Sequence, residues 1–315
     1  IGLVERHGYT AEEYNVTTED GYLLRLHRIS GSPSRPKSRG KPVIYLQHGI
    51  FLSSDSWVLI GPGRDLAFLL VDAGYDVWMG NTRGNTYSRG HVSQNLDESY
   101  WQFSYHELAV YDLSAFIDRT LNETGAQTLK YFGYSMGTTL SYALLSMRPK
   151  YNQKISQLYS AAPVVFWNHE LRRLMKFADL VFDDLKIILD YFHIHEILPQ
   201  SAVSAFVGDK FCSNGDILTQ PLCLHLFSNI GLDPDKFNTT ALPEIMAHFP
   251  AGTSSIVMYH YNQNFKTKTF QAYDYGPYTN FQKYNQILPP AYDLSNVTVP
   301  VTIWWANDDS IVNPE

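Results

Sequence analysis

Polar and apolar positions alternate near the start of the chain, in "EEYNV" and again in "GYLLRLHRI", and the Glu19-Asp20-Gly21 turn between them predicts an antiparallel hairpin. A polar loop rich in Pro, Ser and Arg follows, and beyond it the alternation stops. "PVIYLQHG" and "YDVWMGN" are continuous apolar runs of strand length, the pattern of strands buried on both faces. Between them "RDLAFLLVDAG" repeats apolar residues at helical spacing and ends at Gly74, a C-terminal cap. "YHELAVYDLSAFIDRTLNETG" predicts a longer helix with Leu108, Tyr111, Ala115 and Ile117 inward. A strand at "LKYFGYS" comes next. Then come a helix with Leu140, Ala143, Leu144 and Met147 on one face, and a strand at "ISQLYSAAPVV".

Such alternation of buried strands and helices defines an α/β fold with a mostly parallel, doubly wound sheet. It holds to about residue 165 and resumes only at "VTVPVTIWWAND". In between, Leu171, Leu174, Met175, Ala178, Val181, Phe182, Leu185, Ile188, Leu189 and Phe192 recur at helical spacing, and the remainder is rich in Pro, Gly, Asn and Tyr. Three parts are therefore expected: a core with its hairpin over 1–166, an inserted, mainly helical cap or lid over 167–288, and a return to the core over 289–315.

Composition narrows the function. The chain has 315 residues, 44% hydrophobic and 17% charged, enough for one large core with an inserted subdomain. A net charge of −7 without a Lys/Arg run argues against nucleic acid or an anionic membrane as the main partner. No apolar run reaches membrane-spanning length and no signal peptide opens the chain, whose first residue, Ile1, suggests a processed or trimmed N-terminus. Cys212 and Cys223 are either two reduced core thiols or a disulfide closing a short loop. With sequons at Asn15, Asn122, Asn238 and Asn296, the disulfide and glycosylation fit a secretory-pathway protein, extracellular or lysosomal.

The chemistry centres on "GYSMG". A strand enters this Gly-x-Ser-x-Gly and a helix leaves it, so Ser135 is a candidate nucleophile on a sharp turn, with Gly133 and Gly137 allowing strand and helix to pass closely. A serine hydroxyl needs a base, usually a histidine oriented by a carboxylate, and acyl transfer needs N–H groups aimed at the oxyanion. The amides of Met136, after the nucleophile, and Ile50, in the "QHGIF" loop, are the candidate donors. His48 precedes a glycine in that loop and fits a structural role better than the base. Asp308 and Asp309 both follow a buried strand as the acid should. All eleven histidines lie at or before His260, so the usual Ser, Asp, His order finds no histidine after these aspartates within residues 1–315.

Taken together, these residues resemble the acid lipases, the group of gastric and lysosomal lipases with the α/β-hydrolase fold. The resemblance runs from "GYTAEEYNVTTEDGYLLRLHRI" through "PVIYLQHG", "LAFLLVDAGYDVWMGNTRGNTYSR" and "YWQFSYHELAVYDLSAFID" to "FPAGTSS", "FQAYDYG" and "LPPAYDLSNVTVPV". It implies Ser135 as nucleophile, Asp309 rather than Asp308 as acid from the alignment of "NDDSIVNPE", and the Ile50 and Met136 amides as the oxyanion hole. It also implies a cap with a mobile lid over an apolar acyl pocket, and no cofactor. Three departures stand out. Tyr134-Ser135-Met136 replaces His-Ser-Gln, "WWANDD" lacks the glycines before the acid, and the chain stops before the family's last strand, helix and histidine. The implied function is hydrolysis of neutral lipid esters, acylglycerols or sterol esters, with the base expected beyond residue 315. A lipid-binding or storage protein on the same fold is the competing reading.

Two further features have plain explanations. "HIHE" places His193 and His195 two apart, with no third ligand at a characteristic spacing, so polar residues at the end of the cap helix are expected and no metal. The amphipathic stretch 171–192 packs as a cap helix on the core, with contact to a lipid–water interface when a lid opens.

Overall fold

The computed structural model describes residues 1–93, 95–166, 184–201, 241–307 and 309. β1 (Thr10–Thr17) and β2 (Tyr22–Gly31) form the predicted antiparallel hairpin. β3 (Val43–Gln47) and β4 (Asp76–Asn81) are buried at every position, which is why neither sequence alternates. β5 (Gly90–His91) adds a short pairing to β2. β6 (Leu129–Tyr134), β7 (Ile155–Ala161) and β10 (Val301–Trp304) complete an eight-stranded sheet in the order β1-β2-β4-β3-β6-β7-β10. From β4 to β10 the strands are parallel. The chain steps from β3 outward to β4 and then crosses back to β6 on the other side of β3. That reversal is a topological switch point at the carboxyl ends of β3 and β6, where open α/β sheets bind ligands.

Helices cover both faces. α1 (Leu66–Asp72) buries Ala67, Phe68 and Val71 and stops where Gly74 takes φ +99°. The next helix starts at Tyr105–Glu107 under a Ser104 capping box, makes a π-helical turn over Leu108–Leu113 and continues as α2 (Ser114–Thr124) to Gly125 at φ +69°. Leu108 and Ile117 point inward as expected, but Tyr111 and Ala115 are only half-buried, and Leu113 and Phe116 take the inner face. The wider π turn rotates the helix relative to the 3.6-residue period. α3 (Met136–Met147) is buried from Met136 to Ser146, so its expected apolar face is part of a helix enclosed on all sides.

Between β7 and β10 the described residues form a helix over 184–191, then β8 (Glu196–Ile197), α4 (Leu242–His248), β9 (Thr253–Ser254), α5 (Ser255–Thr267) and α6 (Pro277–Tyr284). β8 and β9 pair antiparallel. Specific contacts seat this layer on the core. The Ala251 amide donates to the Phe51 carbonyl (2.7 Å), Ser254 Oγ to the Trp101 carbonyl (2.7 Å), and Lys283 pairs with Glu107 (3.0 Å). The helical face expected over 171–192 is only partly observable, because 171–183 lie outside the described residues. Of the rest, Leu189 packs against Ile256 and Tyr259, whereas Leu185, Ile188 and Phe192 are exposed rather than inward. Among the described residues no helix is long and apolar enough to cross a membrane.

Candidate active site

β6 carries the chain to Tyr134, and at Ser135 the backbone turns sharply, with φ +51° and ψ −116°, before α3 begins. A non-glycine residue in this sparsely populated, positive-φ conformation carries roughly 1–3 kcal/mol of strain. The surroundings hold it there. A Cβ on Gly133 would lie 2.7 Å from the Gly137 carbonyl group, and one on Gly137 would lie 2.4 Å from the Gln47 carbonyl oxygen. Both glycines are thus required by close approach, as their spacing suggested. The Ser135 amide donates to the Ala161 carbonyl (3.0 Å), the Thr138 amide and hydroxyl both donate to the Ser135 carbonyl (2.8 and 2.6 Å), and Tyr131 Oη donates to the Gly137 carbonyl (2.7 Å). Met136 opens α3, where amides have no intrahelical acceptor and the helix dipole is positive.

Beside the serine turn runs the loop after β3. Gln47 pairs with Gly133 in register, and a Cβ on Gly49 would stand 3.3 Å from Ser135 Cβ, so this loop lies directly against the serine. Ile50 packs half-buried on the main core, and Phe51 turns the loop at φ +61°. Buried His48 is built into the same loop. Its Nδ1 donates to the Gly49 carbonyl (2.8 Å), while Nε2 accepts from the Thr82 amide (3.4 Å). Burial lowers its pKa to about 4, so it is neutral and serves as a strut.

On the other side, β10 brings the residues that lead to Asp309 to the same end of the sheet. Trp304 pairs with Ala161, and the Ala162 amide donates to the Trp304 carbonyl (2.8 Å). The Asp309 amide donates to the Ala306 carbonyl (3.2 Å). Desolvation, and after it the Asp309 charge, raises the pKa of the Tyr134 phenol, which places that carboxylate within electrostatic reach of the residue beside Ser135. Asp308 lies outside the described residues.

Among the described residues no histidine hydrogen-bonds Ser135. His27 is bound to Ser54 and Glu13, His91 to the Asp20 carbonyl, His106 to Tyr292, His248 to Asp55 and His260 to the Gln271 carbonyl. His7 packs on Phe68, and His193 and His195 stand beside Glu98. His169 and His225 are outside the described residues, as are Cys212, Cys223 and Asn238. Asn15 and Asn122 are exposed, whereas Asn296 is half-buried and its side-chain amide donates to the Ser146 carbonyl (3.3 Å).

Sequence reasoning missed Thr138, which ties the serine turn to the end of β7 by also accepting from the Val164 amide (3.1 Å). A threonine in the first turn of a helix carries no signal that separates it from an ordinary polar residue. It also missed Asp55, which receives Tyr87 Oη (2.7 Å) and His248 Nδ1 (2.9 Å) and so joins the core to α4.

A strained serine between a parallel strand and a buried helix, at the switch point of a doubly wound sheet, defines an α/β-hydrolase of the serine type. The family described as alpha/beta hydrolase fold matches residues 42–315, and a partial alpha/beta-hydrolase lipase region matches residues 2–61. Gastric triacylglycerol lipase of Mus musculus is 39% identical over 99% of this chain and 79% of its own length. Lysosomal acid lipase/cholesteryl ester hydrolase of Macaca fascicularis is 38% identical over 98% of this chain and 77% of its own. Among solved structures, a soluble variant of monoglyceride lipase from Saccharomyces cerevisiae shares the fold at 16% identity with a TM-score of 0.50, over 95% of this chain and 80% of that one. The chain belongs to the acid lipase family of α/β-hydrolases, the family of the gastric and lysosomal lipases, and is a serine ester hydrolase.

Proposed function

We propose that this lipase hydrolyses neutral lipid esters, acylglycerols or sterol esters, through an acyl-enzyme on Ser135. In this reading a histidine takes the Ser135 proton as Oγ attacks the ester carbonyl, and the same imidazole then protonates the departing alcohol. The Ile50 and Met136 amides receive the oxyanion, and Asp309 orients the imidazolium. Water repeats the sequence to release the fatty acid. The base is a histidine outside the described residues, and the family order puts it after Asp309. The observation that carries the reading is Ser135 at φ +51° at the head of α3, with Gly49 of the opposite loop against it. The substrate class rests on the relatives, named for triacylglycerol and cholesteryl ester.

Residues 167–288 act as the cap in this account and include a lid over the acyl pocket. The exposed Leu185, Ile187, Ile188, Tyr191 and Phe192 give it an apolar surface for a lipid–water interface. Exposed Asn15 and Asn122 are open to glycosylation, and a Cys212–Cys223 disulfide completes a secretory-pathway protein, extracellular or lysosomal.

The test is hydrolysis of emulsified trioleoylglycerol and cholesteryl oleate by the full-length protein and by Ser135→Ala. The expected outcome is turnover of at least one of the two, falling on the order of 10⁴-fold or more in the variant. Hydrolysis that survives the substitution, or none by the unaltered protein, would contradict the proposal.

A further inference from the structure

Where the cap meets the core, Nε2 of His195 is buried and has no hydrogen-bond partner among the described residues. A carboxylate oxygen of Glu98 lies 3.7 Å from it and 3.9 Å from Nδ1 of His193, and the ligand atoms of these three residues all fall within 4.8 Å of one another. Both separations are too long for hydrogen bonds. They exceed by about 0.5 Å the roughly 3.3 Å edge of a tetrahedron whose metal–ligand bonds are about 2.0–2.1 Å. Three donors thus gather within 4.8 Å of one another without hydrogen-bonding each other.

The backbone on both sides fixes this grouping. Helix 184–191 ends in a turn in which the His193 amide donates to the Asp190 carbonyl (3.2 Å) and the Ile194 amide to the Leu189 carbonyl (2.8 Å), with His193 itself at φ +52°. Glycine is the usual occupant of that left-handed position, yet a histidine stands there. The turn brings two imidazoles two residues apart to ring centroids 6.2 Å from each other. The His195 carbonyl then accepts from the Ser255 amide (2.8 Å). Glu98 sits on a turn held by the Trp101 amide donating to its carbonyl (3.2 Å) and by buried Tyr100 and Trp101. The Trp101 carbonyl in turn accepts from Ser254 Oγ, so Ser254 and Ser255 fasten both ligand segments to one another.

The nearby charges favour a cation. Arg89, the adjacent base, is neutralised by a two-pronged pair with Glu196, and Asp97 lines the same open cleft of about 420 Å³. Sequence spacing could not reveal the third ligand, since Glu98 precedes the histidines by almost a hundred residues.

We propose that Glu98, His193 and His195 bind a divalent first-row cation, with zinc the best match, and that the ion clips the cap segment 193–195 to the core turn 97–101. Two imidazole nitrogens and one carboxylate oxygen are a donor set suited to zinc, with water completing the tetrahedron. The site shares no residue with the Ser135 turn, so it stands or falls independently of the proposed hydrolysis.

The test is calorimetric titration of Zn²⁺ into the full-length protein and into Glu98→Gln and His195→Ala, with thermal unfolding of each with and without the metal. Glu98 is exposed, so metal-free Glu98→Gln should unfold at the same temperature as the unaltered protein, which separates a binding defect from a folding defect. The expected result is one equivalent bound, at least tenfold weaker binding in each variant, and a zinc-dependent rise in Tm only in the unaltered protein. An absence of binding, or an affinity unchanged in both variants as zinc held by other residues would give, overturns the proposal.

Discussion

Ser135 owes its conformation to neighbours that lack side chains. Gly137→Ala places a methyl group 2.4 Å from the Gln47 carbonyl, and no rotamer change relieves a contact between backbone atoms. The variant is expected to lose about 1–3 kcal/mol of stability, read from its urea midpoint, and to part the β3 loop from the serine. At this scale the sharp turn was legible, because a Gly-x-Ser-x-Gly between a strand and a helix gives the reason for its glycines. His48 was legible as structural for a similar reason: a histidine before a glycine in a buried loop has a carbonyl to hold. Thr138 and Asp55 were not legible, since their hydrogen-bonding partners are set by the folded path of the chain.

Among elements, the parallel strands could be read directly because burial on both faces leaves a continuous apolar run. The inner face of the helix after Ser104 could not, because one π turn shifts every later residue around the axis. The head of that helix also makes the stability of the fold sensitive to acid. Burial alone would raise the pKa of Glu107, but the Lys283 charge foremost, with His106 and the Ser104 amide, outweighs burial and brings it down to about 2. A carboxylate whose pKa is lower in the folded state contributes stability that is complete above its unfolded value, near 4.5, and is lost as pH falls towards 2. Glu107→Gln is therefore expected to cost about 3 kcal/mol at pH 6, because it removes one member of a mostly buried pair. The difference from the unaltered protein should shrink between pH 4.5 and pH 2 in unfolding curves measured across that range.

At the scale of the whole molecule, the interruption of the strand–helix alternation after β7 was readable in the sequence, but the way the described residues between β7 and β10 are seated on the core was not. Each attachment joins residues far apart in sequence, such as Asp55 with His248 and Glu107 with Lys283. The first of these depends on pH. The hydrogen bond to Asp55 raises the pKa of His248 above its usual 6.5, against desolvation and the charge of Arg6, and with help from Glu244. Desolvation raises the pKa of Asp55, but hydrogen bonds from His248 and Tyr87, with the nearby His27, bring it below its usual 3.8. The histidine's contribution is full below pH 6.5 and is lost as pH rises through its raised folded value. The aspartate's contribution is present above pH 3.8 and is lost as pH falls through its depressed value. The tether is thus tightest in the mildly acidic window between them. Hydrogen exchange in α4, corrected for intrinsic rates, is expected to run about 2–5-fold faster at pH 8 than at pH 5.5. That ratio corresponds to about 0.5–1 kcal/mol for a partly exposed pair, and the dependence should vanish in His248→Gln.

These scales meet at one claim, that Ser135 is an activated nucleophile. The most direct measurement is the intact mass of the full-length protein before and after a fluorophosphonate probe, which reacts efficiently only with a serine whose proton a base can take. The account predicts one adduct per chain, absent from Ser135→Ala. A folded protein that takes up no adduct, or an adduct that persists in Ser135→Ala, would contradict it.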